Sequence, residues 1–566
     1  MCFLQKSNKD SVLALIDIVL CVVLSIICTA ASKYISNGSC IVTMVFVVCA
    51  FIVFVFLICS TYCIRYFILR VKIDQCNNSI NVGLSKYINR LMTRRHHIEF
   101  VAGIIFCSWL ISLVCLYPGT CINDTWNELQ QYIAYTAGEG SLSDHHPFTD
   151  TLIMGTLIVP LSMATGKWHV VMFIYVLLQA IFTCFAFSYT VDYAYKKLKL
   201  NEIIIFGLII FYCACIVYPT SVQTISKDSL FSWIFVIFMV YYIEIVRTEG
   251  ACLLKKNFLV LFIIVALMCC LTKKIGIYII LASLLLLLVQ RNNRKKVIFS
   301  ITAVVMIIVL VVPIVKSQMG IVPGGKQEMF SLPFQMTARY VRDYHDEVSK
   351  EEKLIIDRVL DYDDLAKKYD PLNADPVKQF SQKGQTEDYV NYIKLWFKQG
   401  LKHPKVYIDA TNAMLSGWFS FVEYKPLMNM DWHSALNPDL ISEWVTIRGW
   451  SEKIAKEYQS MFDYLYNNPL THIFLAYGFY SALIPAFAIG TTLRSWKKKK
   501  KYWIVIVPIV LSIILGCWLG PLSIHFEGRR YLYPIVYTSP LLIMWCLYVY
   551  KDNSSGKNGK CEQVSG

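Results

Sequence analysis

Charge is what this sequence has least of. Only 16% of its 566 residues are Asp, Glu, Lys or Arg, against 56% hydrophobic, and the mean hydropathy is +0.49. Repeated apolar runs of about 17–25 residues each reach across roughly 30 Å of hydrocarbon, which excludes an ordinary soluble globular chain. A Gly-rich phosphate loop, a Walker pattern and a dinucleotide fingerprint are all missing, which argues against the common nucleotide-binding folds. No CxxC pair occurs, so a structural zinc site is not expected. The 20 cysteines lie mostly in apolar runs (Cys21, Cys28, Cys49, Cys59, Cys213, Cys215, Cys269, Cys270), with none between 316 and 470. They read as small buried hydrophobes, not as a disulfide scaffold. Nor is there a basic stripe interleaved with aromatics on a soluble surface, so nucleic acid is not an expected partner.

The runs that are present read as an all-α polytopic membrane protein of about 12 transmembrane helices. They fall at 11–32, 40–62, 100–117, 168–193, 202–219, 229–246, 257–272, 275–290, 297–315, 470–491, 502–519 and 531–549. The first is too long for a signal-peptide core and reads as a retained anchor. Of the 35 basic residues outside 316–470, 28 fall in loops on one side under this scheme and seven on the other (Lys33, Lys167, Lys227, Lys273, Lys274, Arg529, Arg530). The positive-inside rule therefore puts both termini in the cytoplasm. Residues 151–165 are apolar but short and carry Pro160; counting them as a crossing would invert every later basic loop, so they read as a re-entrant or interfacial helix.

Four units follow: 1–98, two spans with a basic loop; 99–315, a membrane core with an outer loop at 118–167; 316–469, a mostly helical extracytoplasmic domain; and 470–566, the last spans and a cytoplasmic tail. Within the third unit, Ser349 and Glu352 fit a capping box. Tyr389, Ile393, Trp396 and Phe397 fall on one face of a helix that stops before Pro404.

The candidate chemistry lies in four outer features. The 118–150 loop gathers Asp124, Glu128, Asp144 and Asp150 with His145 and His146. Lys227-Asp228 opens one span, Lys273-Lys274 sits at a hairpin tip, and Glu527-Gly-Arg529-Arg530-Tyr531 precedes the last span. Cations on the outer side run against the orientation rule. One alone fits interfacial snorkelling, whereas four such sites around one loop fit an anionic ligand such as a lipid-borne phosphate. Asp124 reads either as a helix N-cap or as a general base acting on an acceptor hydroxyl. Asp228 has the same two readings, and the adjacent histidines read as a polar turn more readily than as metal ligands. If there is a cofactor it is a divalent cation, magnesium or manganese, on oxygens of Asp124, Asp144 and Asp228.

These motifs together resemble the GT-C superfamily of integral-membrane glycosyltransferases, and a bacterial branch of it in particular. The matching elements are Tyr117-Pro118-Gly119 with Asp124 and Gln131, His146-Pro147, Lys227-Asp228-Ser229, the Thr272-Lys273-Lys274 hairpin and Arg529–Pro534. The resemblance spans about 100–550. It implies catalytic carboxylates at Asp124 and Asp144, and donor-phosphate contacts from Lys227, Lys273, Lys274, Arg529 and Arg530. His145, His146, Asp228, Glu527 and Tyr531 would support them. The implied reaction moves a sugar, with inversion, from a polyprenyl-phosphate donor to a hydroxyl of a cell-envelope glycan or glycolipid. No adjacent Asp-Asp or Asp-Glu pair stands at the first-loop position, as it does in some branches. The alternative from another class is a transporter or lipid flippase; against it, the deep parts of the spans carry almost no ionisable residue.

Overall fold

The computed structural model describes residues 8–37, 44–73, 79–290, 292–378, 383–421, 453–454, 456–493, 501–520 and 527–558. Among these the architecture is all-α. The only strands are β1 (Thr120–Cys121) and β2 (Thr224–Ile225), which pair in parallel with Thr120 opposite Thr224. Twelve helices lead to the middle of the chain: α1 (Asn8–Asn37), α2 (Met44–Ile73), α3 (Ser79–Met92), α4 (His97–Cys115), α5 (Asn123–Thr136), α6 (Phe148–Thr165), α7 (Trp168–Lys196), α8 (Glu202–Ala214), α9 (Val217–Val222), α10 (Lys227–Arg247), α11 (Lys256–Thr272) and α12 (Lys274–Leu287).

Among the described residues eight helices are long and apolar enough to cross a membrane, and a ninth is if the pair Pro469–Leu475 and Phe479–Leu493, bent by 65°, is one broken span. Of the twelve runs expected from sequence, seven coincide with long helices and one with the bent pair. Of the other four, Glu202–Ala214, α11 and α12 are shorter helices, and the first run lies within the 30-residue α1. At 1.5 Å per residue the 14 residues of α12 reach only about 21 Å. The α11–α12 break is sharp because Gly276 crosses tightly there; a Cβ on it would stand 2.2 Å from the carbonyl oxygen of Cys269.

The helices differ in what surrounds them. α10 is the axis of the assembly, 89% buried, and packs on α7, α11 and the last helix, Tyr533–Asn558. By contrast, Met44–Cys63 and Arg294–Gln318 are only 17% buried, with Met44, Val45, Phe51, Val309 and Ile314 exposed. Water does not tolerate so much contiguous apolar surface, whereas hydrocarbon does, provided that the backbone is satisfied within each helix.

α4 and α7 are antiparallel neighbours. At one end His97 Nε2 lies 2.6 Å from Asp192 of α7, and at the other Tyr117 packs its ring on Phe173 at 4.9 Å. That second end, called upper below, is where α4 stops and α7 starts. The 151–165 run forms an unbroken 18-residue α6, longer than the short re-entrant piece expected and apolar enough to cross by length. It stops two residues before α7 begins at the upper end.

Residues 319–415 form a helical unit with its own apolar core, including Phe334, Val341, Ile356, Leu365, Tyr389 and Tyr392. Ser349 and Glu352 make the capping box, with both reciprocal bonds present. The expected face of the Thr386–Lys402 helix is corrected: Ile393 and Phe397 are exposed, while Tyr389, Tyr392, Leu395 and Gln399 turn inward. The core contacts sit on the neighbouring stripe of that helix, a rotation that apolar periodicity alone does not fix. Backbone bonds from Asp144 N to Val322 O (2.7 Å) and from Val322 N to Leu142 O (2.8 Å) tie this unit to the upper loop.

Candidate functional site

Close backbone packing builds the site. Gly119 has φ +107°, and a Cβ there would lie 2.6 Å from Val176 and 2.9 Å from the carbonyl of Gln223, so only glycine lets β1 reach β2. Thr125 hydroxyl donates to Ile225 O, and Gln179 donates its amide to Val222 O and Thr224 O, which locks the pair against α7. Asp124 then stands in the first turn of α5 and Lys227 and Asp228 in the first turn of α10. Neither carboxylate is an N-cap: Ile122 holds that position for α5, and Ser226 caps α10 by accepting from Ser229 N. The positive helix ends favour both carboxylates all the same.

Four separate segments converge here. Lys227 Nζ donates to Asp124 Oδ2 at 2.8 Å and to His146 Nδ1 at 2.6 Å. Arg530 bridges the two carboxylates, with Nη2 at 2.9 Å from Asp124 Oδ2 and Nε at 3.3 Å from Asp228 Oδ2. Lys273 lies 2.6 Å from Asp228 Oδ1 and above the rings of Phe231 (5.4 Å) and Tyr531 (5.8 Å). Arg529 is buried in the same short 3₁₀ turn as Arg530, and the Arg530 guanidinium packs over Tyr531 at 5.3 Å. The side chain of Glu527 lies outside the described residues.

Burial deepens away from Asp124, whose side chain is 24% exposed; that of Asp228 is fully buried. Burial pushes the Asp124 carboxyl up, but Arg530, Lys227 and His146 outweigh it and hold it well below the usual carboxylate range. Burial, helped by the Lys227 ammonium, keeps His146 well below its ordinary value, so the imidazole is neutral and its Nδ1 accepts from Lys227. Glu128, one turn after Asp124, is pushed up to about 7 by burial, with Lys227 opposing and Asp124 adding. Thr151 donates to its Oε2 at 2.9 Å, and Asp150 is buried beside it.

The remaining expected residues form an adjoining cluster. Asp144 pairs with Lys316 at 2.8 Å, and His145 faces Glu328 at 3.5 Å. Glu328 accepts from Lys378 at 2.7 Å. The Lys274 amine lies beside Gly324 and Asp144, and burial lowers its pKa. His145 and His146 stack edge to face at 4.5 Å and join the two clusters. Two corrections follow. Asp144 and Lys274 belong to this second group instead of joining Asp124, because Val322 pulls the Ser143–Asp144 backbone toward the 319–415 unit. The three-carboxylate metal set is not assembled: Asp124 and Asp228 share Arg530, and Asp144 is on Lys316. Among the described residues no group of three His, Cys, Asp or Glu side chains is disposed to hold a metal ion.

Glu128 and Asp150 are the members to which sequence reasoning gave no role. The i, i+4 spacing from Asp124 is a signal for Glu128; for Asp150 the only signal is an acid at the head of an apolar run. Lys316, Glu328 and Lys378 gave none, being more than 150 residues from the loop they meet.

Residues 132–560, about three-quarters of the chain, match a family described as being of unknown function, DUF6020. The matched stretch includes Asp150, Lys227, Asp228, Lys273 and Arg530, and starts just after Asp124 and Glu128. No curated protein and no solved structure matches the chain.

Proposed function

This chain belongs to the DUF6020 family, and we propose that it is an integral-membrane glycosyltransferase that moves a sugar from a polyprenyl-phosphate donor to a hydroxyl of a cell-envelope glycan or glycolipid. One observation carries the reading. Asp124, the solvent-reachable carboxylate, is held by two cations from distant segments, Lys227 and Arg530, with the Lys273–Asp228 pair beneath them. A carboxylate next to converging cations suits a reaction in which a hydroxyl loses a proton while a phosphate leaves.

The steps follow from the charges. A donor phosphate draws Lys227, Lys273 and Arg530 to itself, with Lys274 and Arg529 nearby. Its arrival weakens their hold on Asp124 and makes that carboxylate a better base. Asp124 then accepts the proton of the acceptor hydroxyl as the oxygen attacks the anomeric carbon. The carbon–oxygen bond to phosphate breaks with its electron pair going to the phosphate, and the configuration inverts. No metal ion is required by this account. Beside the end of α4 lies a mostly apolar cavity of about 780 Å³, lined by Ile111, Cys115, Ile216, Pro219, Tyr458 and Met461. It suits an isoprenoid chain. The charge bias of the loops favours an extracytoplasmic position for the site and for 316–469, with both termini cytoplasmic. The tie from Val322 to the loop favours a role for that unit in acceptor choice.

The test is a transfer assay in membranes with a panel of radiolabelled polyprenyl-phosphate sugars, comparing wild type with Asp124→Asn. Wild type should transfer one of them, and the variant should lose about 10²–10⁴-fold. Full activity in Asp124→Asn ends the general-base role, and lipid translocation without transfer favours a flippase instead.

A further inference from the structure

Inward of Asp124 the site ends in two carboxyls that no Lys or Arg among the described residues holds at ion-pair distance. Glu128 stands one turn after Asp124 on α5 and Asp150 in the first turn of α6; their side chains are 1% exposed and fully buried, respectively. Glu128 accepts from Thr151, and His146 Nδ1 lies 4.0 Å from its Oε1. Both oxygens of Asp150 are buried with no hydrogen-bond donor among the described residues. Ionised, neither carboxylate is able to donate to the other. A single proton between them supplies the missing hydrogen bond and removes one of two adjacent buried negative charges. The charged and titratable groups facing the pair are Lys227 and Asp228 of α10, Asp124 of α5, His146 of the loop and Tyr175 of α7.

We infer that Glu128 and Asp150 share one proton in the resting site and take up a second when a phosphate or sulfate group settles against Lys227, Lys273 and Arg530, so that anion binding here is coupled to proton uptake. The charge balance argues for it. In the resting site Lys227, Lys273 and Arg530 are balanced by Asp124, Asp228 and the one charge on the Glu128–Asp150 pair. An arriving anion upsets that balance inside a poorly solvated cluster. Asp124 starts so far below the usual carboxylate range that loosening its cations still leaves it ionised, Asp228 is held by Lys273 and Arg530, and the Nδ1 of His146 accepts from Lys227. The carboxyl pair is the group left to neutralise, and burial keeps Glu128 near 7, where a proton is available at physiological pH. The inference rests on the anion-binding half of the proposed function and not on sugar transfer.

The experiment uses the full chain in lipid nanodiscs. Sulfate, which does not titrate near neutral pH, represents a free anion, and farnesyl phosphate a lipid-borne one. Calorimetry in buffers of different ionisation heat should show uptake of about half a proton per sulfate bound near pH 7, rising toward one about a unit higher. Affinity should fall as pH rises above 7, toward about tenfold per unit, the slope of one linked proton. Glu128→Gln and Asp150→Asn should each abolish the uptake and flatten the pH profile. In ligand-free wild type, infrared spectra should show a protonated-carboxyl band that Glu128→Gln removes. Proton uptake with only one of the two probes identifies the source of the anion, and the inference stands. Absence of the wild-type band, binding without proton uptake, or no binding of either probe overturns it; all three are read on wild type, so a variant that fails to fold does not shelter the idea. A chain that takes up the proton yet transfers no sugar overturns the reaction and leaves this inference intact.

Discussion

The two ends of the helix assembly carry charge in opposite ways. At the lower end the pairs are mostly local: Arg247 grips Glu244 three residues away at 2.7 Å, and Lys196 reaches Asp192 four residues away at 2.9 Å. Such pairs form wherever a helix ends near water, and they contribute little. At the upper end Lys227 meets a carboxylate 103 residues away and Arg530 one about 400 away, and these side chains are mostly buried. Desolvating that many charges costs several kcal/mol per ion, which packing by itself does not call for. Long-range burial of charge is thus concentrated at the upper end, where several segments share one network, while the lower end has the single cross-helix pair of His97 and Asp192 beside its local ones.

Several measurements test that contrast. The largest effect is expected from Asp228→Asn, which leaves Lys273 and Arg530 without their buried counter-charge. Unfolding in detergent should cost about 3–5 kcal/mol less than for wild type, and an unchanged unfolding curve would erase the distinction between the ends. Next, Arg530→Ala should raise the KM for the donor by about tenfold or more, the equivalent of about 1.4 kcal/mol, while the acceptor KM stays near its wild-type value. Equal effects on both would make Arg530 a structural member only.

A pH series comes third. Glu128 has a pKa raised to about 7 against an ordinary carboxyl value of 4.5. Its contribution to stability is therefore fully present below 4.5 and is lost as pH rises through 7. Wild type should lose stability relative to Glu128→Gln between about pH 4.5 and 7, and parallel curves would contradict the assignment. The smallest effect belongs to the lower end: Lys196→Ala, at a 44% exposed side chain, should change stability by no more than about 0.5 kcal/mol.

Much of this was legible beforehand, residue by residue. Low charge and long apolar runs announced an all-α chain with helices fit for hydrocarbon, and the outer cations Lys227, Lys273 and Arg530 stood out by breaking the charge bias of the loops. The i, i+4 relation of Glu128 to Asp124 was also on view, though without a partner to give it meaning. Asp150 was not legible, because an acid at the head of an apolar run looks the same whether it faces water or another carboxyl. The split of Asp144 and Lys274 away from Asp124 was equally hidden, since it depends on Val322, which lies in another unit of the chain.

Hydropathy and helix periodicity are properties of neighbouring residues, so the sequence alone determined the helices, their apolar faces and the unusual placement of a few cations. Which cation meets which carboxylate was decided only by tertiary structure. Gly119 and Gly276 let backbones approach within van der Waals contact, and those approaches set the register that puts side chains from positions 124, 146, 227, 273 and 530 within 4 Å of a neighbour in one network. Electrostatic strength at such distances falls steeply with separation and solvent access, and neither quantity can be read from positions along a chain.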